Sequence, residues 1–248
     1  MERPLTLITG GTRGIGAATA LRLAADGHDL VLGYARDDEA AEECRLAVED
    51  AGAQCVVVRA DVADAAGVDA LFVEAARRGR LTGVVNNAGA TLHVGPLAET
   101  PVDVIARTVE LNLTGALYVA RAAVRALATT YGGRGGVIVN VSSGAATLGS
   151  PGEYVQYAAA KAGVDAMTIG LAQEVAEGGV RVVGVAPGMV RTRIHEDAGD
   201  PGRLERVSAR IPLGRPGEPA EIADAIAWLM SDAASYVTGS TLRVAGGR

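Results

Sequence analysis

Six tyrosines occur in the chain, and only Tyr157 is followed four positions later by a lysine, Lys161. On a helix that spacing puts both side chains on one face, about one turn apart. A phenol with a pKa near ~10 holds its proton too tightly to act as a base at neutral pH, and a neighbouring ammonium favours the phenolate. Moving the phenol by ~2–3 pH units takes roughly 3–4 kcal/mol of differential interaction, within reach of a partly desolvated charge pair. Such a pair can hand a proton to an oxygen or take one from it. Ser142 and Ser143 stand just upstream, and a serine hydroxyl can stabilise charge developing on a substrate oxygen. Because they are adjacent, the two point in different directions. A Tyr-x-x-x-Lys pair alone also arises by chance, and most buried tyrosines are structural. What lies in register ahead of the pair therefore decides its meaning.

The N-terminal strand-like run Leu5–Thr9 leads into Gly10-Gly11-Thr12-Arg13-Gly14-Ile15-Gly16 and then a helical pattern. Glycines let a backbone turn tightly and approach a pyrophosphate, and a helix N-terminus offers it free N–H groups. The spacing is G-x-x-x-G-x-G, so the generic G-x-G-x-x-G fingerprint does not match. No two of His28, His93 and His195 stand at metal-ligand spacing, and no Asp/Glu cluster suggests a metal. His28 reads as a helix-to-strand turn residue, while His93 and His195 are candidates to touch a substrate, as are Glu153 and Tyr154. Cys44 and Cys55 lack metal or redox spacing and read as reduced thiols of a cytoplasmic protein.

These residues need elements to hold them. Leu5–Thr9, Leu30–Tyr34, Gln54–Ala60, Leu81–Asn86, Gly136–Val141 and Val180–Ala186 are near-continuous in branched apolar residues, as parallel strands covered on both faces should be. Ser240–Val244 is a plausible seventh. Between them the patterns predict helices over Ile15–Asp26, Asp37–Ala51, Asp64–Arg77, Pro101–Tyr131, Glu153–Glu177 and Pro219–Ser231. Asp37 and Asp64 suit caps, and Pro101 and Pro219 suit first turns. Regular β-α alternation predicts an α/β fold with one doubly wound parallel sheet, and a single Rossmann-like domain over residues 1–248. The longest stretch without a pattern, Thr192–Pro216, follows the sixth strand and is expected to be a substrate lid.

Composition narrows the partners. The 248 residues carry a net charge of -6 with both signs interspersed, which argues against nucleic acid or an anionic membrane surface. The one basic run, Arg77, Arg78 and Arg80, reads as a solvated helix end. No apolar run approaches the ~18–20 residues of a membrane span, and Met1–Thr9 is too short for a signal peptide. Apolar residues make up 49%, mostly small ones, with one Phe and one Trp. That composition suits helices packed closely on a sheet.

Taken in order, Thr9-Gly10-x-x-x-Gly14-x-Gly16, Asp61-Val62, Asn86-Asn87-Ala88-Gly89, Asn112, Ser142-Ser143, Tyr157-x-x-x-Lys161 and Pro187-Gly188 with Thr192 resemble the signature of the short-chain dehydrogenases/reductases, in the form of about 250 residues. The resemblance spans nearly the whole chain. It implies an oxidoreductase moving a hydride between a nicotinamide dinucleotide and a ketone or secondary alcohol. It further implies Asn112, Ser143, Tyr157 and Lys161 as the catalytic set. In that set Lys161 also holds the nicotinamide ribose, and Asn112 shapes a helix distortion and holds a proton-relaying water. Gly10, Thr12, Arg13, Gly14, Ile15, Gly16, Arg36, Asp61, Val62, Asn87, Ala88, Gly89, Pro187, Gly188, Val190 and Thr192 are implied around the dinucleotide, with Asp61-Val62 at the adenine and Thr192 at the nicotinamide amide. The family's usual serine-to-tyrosine spacing is 13 residues, which falls here on Gly144. Ser143 lies 14 before Tyr157, so the loop Ala145–Val155 carries one extra residue, and Ser143 is preferred because the second serine of such a pair usually acts.

The form of the cofactor rests on charge. An acid about 20 residues beyond the fingerprint binds the ribose hydroxyls of NAD, whereas an arginine accommodates the 2′-phosphate of NADP. The family's acid position falls near Tyr34, and Arg36 with Arg13 can clamp a phosphate dianion. Asp37 and Asp38 would repel it if they faced it, but fit better as helix cap and first turn. NADP is therefore expected over NAD. The alternatives are a catalytically silent dinucleotide-binding regulatory protein, a dehydratase or epimerase on the same fold, and a 3-oxoacyl thioester as the particular substrate, with small cyclic ketones and sugars fitting as well. The resemblance also implies a homotetramer built on the two long helices.

Overall fold

The computed structural model describes residues 3–194 and 196–248. Seven strands form one parallel sheet in the order β3-β2-β1-β4-β5-β6-β7. They are β1 (Leu5–Thr9), β2 (Asp29–Tyr34), β3 (Cys55–Arg59), β4 (Leu81–Asn86), β5 (Gly136–Val141), β6 (Val180–Pro187) and β7 (Thr241–Val244). The expected strands are all present, with ends shifted by a residue or so.

Helices cover both faces, because each strand sends alternate side chains to opposite sides. Ile8 of β1 packs towards α1 (Gly14–Ala25) and α9 (Pro219–Met230), beside Leu23, Ile222 and Ile226. Leu5 and Leu7 face the other side with Leu71, Val119 and Leu127, from α3 (Ala65–Arg78) and α5 (Gly115–Leu127). α2 (Asp38–Asp50) flanks the β3 edge, and α7 (Val155–Val175) lies on the second face against β6. Small residues permit close approach: a Cβ on Gly115 would come within 2.9 Å of the Val62 carbonyl oxygen.

Asp37 and Asp64 act as caps, accepting from the Ala40 and Ala66 N–H groups at 3.1 Å each. Pro219 opens α9, whereas Pro101 stands one residue ahead of its helix as the cap residue. Arg77 and Arg78 lie at the end of α3 and pair with Glu74 of the same helix.

Two expectations need correction. The predicted helix Pro101–Tyr131 is not continuous. It runs as α4 (Val102–Val109), one wide π turn (Glu110–Thr114), α5, and a 3₁₀ turn (Thr129–Tyr131). Asn112 sits in that π turn, where its Nδ2 donates to the Thr108 carbonyl at 2.9 Å and to the Ala90 carbonyl at 2.8 Å. Inserted side chains of this kind open the i→i−4 ladder. The stretch Thr192–Pro216 is not without structure either, for it holds the short helix α8 (Arg203–Ser208). Two further short elements complete the chain's helices around the site: α6 (Ala145–Leu148) and a 3₁₀ turn at Leu97–Glu99.

β1 and β4 are neighbours, with β2 and β3 running off one side of β1 and β5 to β7 off the other. Chain direction across the sheet reverses at that point, and ligands of such folds bind beyond the carboxyl ends of the strands there.

Candidate active site

A cavity of about 540 Å³ opens at the carboxyl ends of β1, β4, β5 and β6. Its floor is backbone at one end. β1 runs into Gly10, with φ +60°, and Gly14, with φ +53°, positions a residue with a Cβ enters only under strain. A Cβ on Gly14 would also press within 3.2 Å of Thr192 Cγ2, and one on Gly16 would lie 2.0 Å from the Gly10 carbonyl oxygen. Asn87 ties β4 to this loop, its amide donating to the Thr9 and Gly10 carbonyls at 2.9 and 3.0 Å. Thr9 Oγ1 returns the tie by accepting from the Asn87 and Ala88 N–H groups. α1 begins after Arg13 with no side-chain cap, so its first-turn N–H groups stay open to an anion. That uncapped terminus, cradled by glycines that a Cβ would fill, fits a dinucleotide pyrophosphate.

Further along, charged groups gather. Arg36 is exposed beyond β2 and forms no hydrogen bond or ion pair with the described residues, though its charge helps hold Asp61 ionised. Arg13 faces Asp37 and Asp197, each at 3.6 Å. Asp37 thus both caps α2 and reaches the cavity, so the expected arginine clamp is half engaged by carboxylates. Asp61 accepts from the Ala63 N–H at 3.0 Å and from Arg107 at 2.5 Å. Burial opposes its ionisation, but these bonds hold its pKa below the usual range.

The proton-bearing groups converge at the other end. Tyr157 and Lys161 share one face of α7, and Lys161 Nζ lies 5.8 Å from the Tyr157 ring centroid. Lys161 is 4% exposed, and its ammonium donates to the Val141 carbonyl at the end of β5, at 2.8 Å. The two serines diverge. Ser142 Oγ donates to the Lys161 carbonyl at 3.2 Å, turning away from the cavity's chemistry. Ser143 hydrogen-bonds Tyr157, and its Oγ accepts from the Ala145 N–H at 3.1 Å. Behind them Asn86, Asn140 and Thr168 form a satisfied buried chain: Asn86 donates to Asn140 at 3.1 Å, and Asn140 to Thr168 at 3.0 Å. Asn112 Oδ1 accepts from the Ala90 N–H at 3.1 Å, leaving one lone pair for a water. Gly89 fills the gap between the two groups, since a Cβ there would come 2.6 Å from Asn112 Oδ1 and 3.3 Å from Lys161 Nζ.

Burial sets the electrostatics, and here one expectation fails. Burial pushes the Tyr157 phenol upward, and the Ser143 hydrogen bond only partly offsets that. Burial also pushes Lys161 down, to about 8. Its ammonium is committed to the Val141 carbonyl, so the chain by itself does not lower the Tyr157 pKa as the spacing alone suggested. The free chain holds the phenol protonated.

Every sequence-predicted cofactor residue lines the cavity except Gly16, which packs behind the Gly10 turn. Asn112 likewise stands behind the wall. Glu153 and Tyr154 line the substrate end, whereas His93 does not line the cavity, its neighbours Thr91 and Leu92 doing so instead. His195 lies outside the described residues. Sequence reasoning missed Arg107, Met189, Arg203 and Arg243, all on the cavity. Met189 stands between the predicted Gly188 and Val190, whereas no local signal marks the three arginines; Arg203, for instance, meets its partner Glu153 across 50 positions.

Comparison with known proteins gives the family. The family model described as enoyl-(acyl carrier protein) reductase matches residues 10–248. The uncharacterized oxidoreductase YgfF of Escherichia coli is 44% identical over 98% of this chain and 99% of its own. A 3-oxoacyl-[acyl-carrier-protein] reductase of Synechocystis is 38% identical over 98% of this chain and 96% of its own. A short-chain dehydrogenase from Burkholderia cenocepacia, solved in complex with NADP, superposes with a TM-score of 0.90 at 31% identity, covering 99% of this chain and 97% of that one. With the seven-stranded sheet, the glycine loop and the matches end to end, the chain belongs to the short-chain dehydrogenase/reductase family of oxidoreductases.

Proposed function

We propose that this oxidoreductase transfers a hydride between NADP(H) and a ketone or secondary alcohol, with Tyr157 as the general acid or base. The observation that carries this reading is the meeting of Ser143, Tyr157 and Lys161 at one end of a cavity whose other end is an uncapped, glycine-cradled helix N-terminus. When bound, NADP(H) supplies or accepts the hydride and, oxidised, brings a positive charge into the cavity. The chain's own residues orient and move the proton. The N–H groups of Gly14, Ile15 and Gly16, with Thr12, take the pyrophosphate, and Arg36 with Arg13 the 2′-phosphate. Asp61 and Val62 border the adenine, and Asn87, Ala88 and Gly89 the path between the two ribose sites. Lys161 holds the nicotinamide ribose, while Pro187, Gly188, Val190 and Thr192 border the nicotinamide amide.

At the reacting oxygen, Ser143 donates a hydrogen bond and Tyr157 supplies the proton. A phenol kept protonated by burial suits the reducing direction, since the proton is in place when the ketone arrives. Lys161 and a water held at Asn112 restore it. A 3-oxoacyl thioester is one specific substrate class, because a relative alike over nearly its full length is named for that reduction. Cyclic ketones or sugars are the others, because relatives of similar identity are named for a hydroxycyclohexanecarboxylate and for L-rhamnose. The same reading makes the chain a single-domain cytoplasmic homotetramer acting on small molecules, not on nucleic acid or membrane. Among the described residues no helix is long and apolar enough to cross a membrane. Leu117 and Tyr118 of α5 and Ile169 of α7 are the exposed apolar groups that pairing of those helices would cover.

The test is direct titration with NADPH and NADH, followed by turnover on cyclic ketones, sugars and 3-oxoacyl thioesters. Tighter binding of NADPH is expected, with turnover that Tyr157→Phe lowers by ~10³-fold or more while binding stays within about threefold. Tight binding without turnover on any of these classes would favour the silent regulatory reading.

A further inference from the structure

The most heavily engaged contact at the substrate end takes no part in the proton and hydride chemistry above. Arg203, the first residue of α8, is 3% exposed. Its two terminal nitrogens fork onto the two Glu153 carboxylate oxygens at 2.8 and 2.6 Å, and one of them also donates to the Tyr154 phenol oxygen at 2.8 Å. The guanidinium carbon stands 4.8 Å from the Tyr154 ring centroid. Tyr154 in turn meets Tyr157 edge-on, with centroids 5.5 Å apart and planes at 88°. One arginine therefore joins α8 to the turn that precedes α7 and, through one aromatic ring, to the proton-bearing tyrosine.

Stability alone is a poor account of this arrangement. Desolvation of a buried ion pair roughly cancels its attraction, and Arg203 Nε is buried without a partner, a further cost. Such a pair is better understood as selecting one arrangement of the chain over others. The arrangement selected here sets Arg193, Ile194, Asp197, Ala198 and Arg203 along the cavity wall. The segment has further anchors: Thr91 Oγ1 donates to the Ile194 carbonyl at 3.3 Å, Asp197 reaches Arg13 at 3.6 Å, the Leu213 N–H donates to the Gly246 carbonyl at 3.1 Å, and Arg215 forks onto Glu221 at 2.7 Å. These arginines are exposed, whereas Arg203 is buried.

We propose that Arg203 is a positioning residue: its fork on Glu153 and Tyr154 latches α8 and the residues 196–202 before it against the substrate end of the cavity and seats the Tyr154 ring against Tyr157. The consequence for turnover rests on the function proposed above, whereas the latch itself does not.

The test uses the full chain with Arg203→Met, Glu153→Gln and the double variant, measured two ways. In steady state, either single change is expected to lower kcat/KM between about 10- and 100-fold, as small misplacements of reacting groups do, with the NADPH Kd within about threefold. The double variant should be no worse than the poorer single one, because both remove the same fork. In hydrogen exchange, peptides across 196–210 should exchange about tenfold faster in each variant, and peptides of β1 and β5 should not change. If the wild-type protein turns over no carbonyl compound, the proposed function fails, and exchange still reads the latch. Unchanged exchange in both single variants, or losses that multiply in the double variant, would overturn the latch. Should Arg203→Met fail to fold, Glu153→Gln carries the same two readouts, because that glutamate is partly exposed and its neutral form tolerates solvent.

Discussion

The wall between β1 and β4 is made of backbone, and the wall between α7 and α8 is made of side chains. At the first, left-handed turns fall on Gly10 and Gly14, which adopt them at little cost. At the substrate end they fall on Gly149 and Gly152 but also on Leu92, with φ 60°, in the loop after β4, and on Ser150, with φ 46°, before α7, both lining the cavity. For residues with a Cβ that conformation costs roughly 1–2 kcal/mol each. The dinucleotide end is thus assembled from local geometry that one short stretch specifies. The substrate end holds strain and a buried ion pair, and distant parts of the chain must meet to support both. A common cofactor asks for the first, and a particular substrate for the second.

The sharpest way to break this contrast lies at the two serines, which are adjacent in sequence and opposed in role. Ser143→Ala removes a hydroxyl bonded to Tyr157 and is expected to lower kcat by about 10²-fold. Ser142→Ala removes a hydroxyl spent on the Lys161 carbonyl and should cost only a few-fold in kcat, with about 1 kcal/mol of stability. Steady-state kinetics of the two variants side by side measure the difference. Equal losses, or the reverse order, would mean that the substrate end is organised around α7's backbone and not around Tyr157.

Legibility in the sequence follows the same division. The strands could be read because their branched apolar runs are buried on both faces, and the glycine loop because its spacing is local. Asp37 and Asp64 declared themselves as caps, since a cap acts within three residues. The π turn hid from the apolar periodicity, which runs on through Val102–Leu127; the resemblance alone pointed to a distortion at Asn112, and the Asn112 side chain reaching back to Thr108 shows its form. Arg203 was invisible, because an arginine in a polar stretch reads as solvated until Glu153 is known to lie beside it. The Tyr157 pKa was misread for a related reason. Spacing reports that Lys161 is near, but neither how deeply both are buried nor that the ammonium is spent on Val141.

That burial gives a stability test of the substrate end. The Lys161 ammonium falls from 10.5 to about 8 on folding, chiefly through desolvation, with Asp165 opposing. Between those values the unfolded chain binds a proton that the folded chain lacks, so stability rises with pH across the window. Below about pH 8 the folded chain carries the whole penalty, at most about 3 kcal/mol. Lys161→Met removes the charge at similar volume and forfeits one hydrogen bond to Val141. A net gain of about 2 kcal/mol near pH 7 is expected, alongside lost turnover, with the gain shrinking as pH approaches 10. Urea denaturation at the two pH values measures it. A variant less stable at both would show that the ammonium supports the fold as well as the chemistry.

The smallest expected effect belongs to the dinucleotide end, where side chains only trim what the backbone provides. Arg36 is exposed and pairs with no carboxylate among the described residues, whereas Arg13 is shared between Asp37 and Asp197. Arg36 is therefore the cation free to meet a 2′-phosphate without first giving up a partner, and a charge-assisted contact of that kind is worth about 1.5 kcal/mol at an exposed site. Arg36→Ala should weaken NADPH by about tenfold and leave NADH within about twofold, read by fluorescence titration at low and high salt. The NADPH loss should shrink at high salt, since the contact is screened there. Equal weakening of both cofactors would mean that Arg36 supports the loop, and that Arg13, released from its two carboxylates, carries the phosphate.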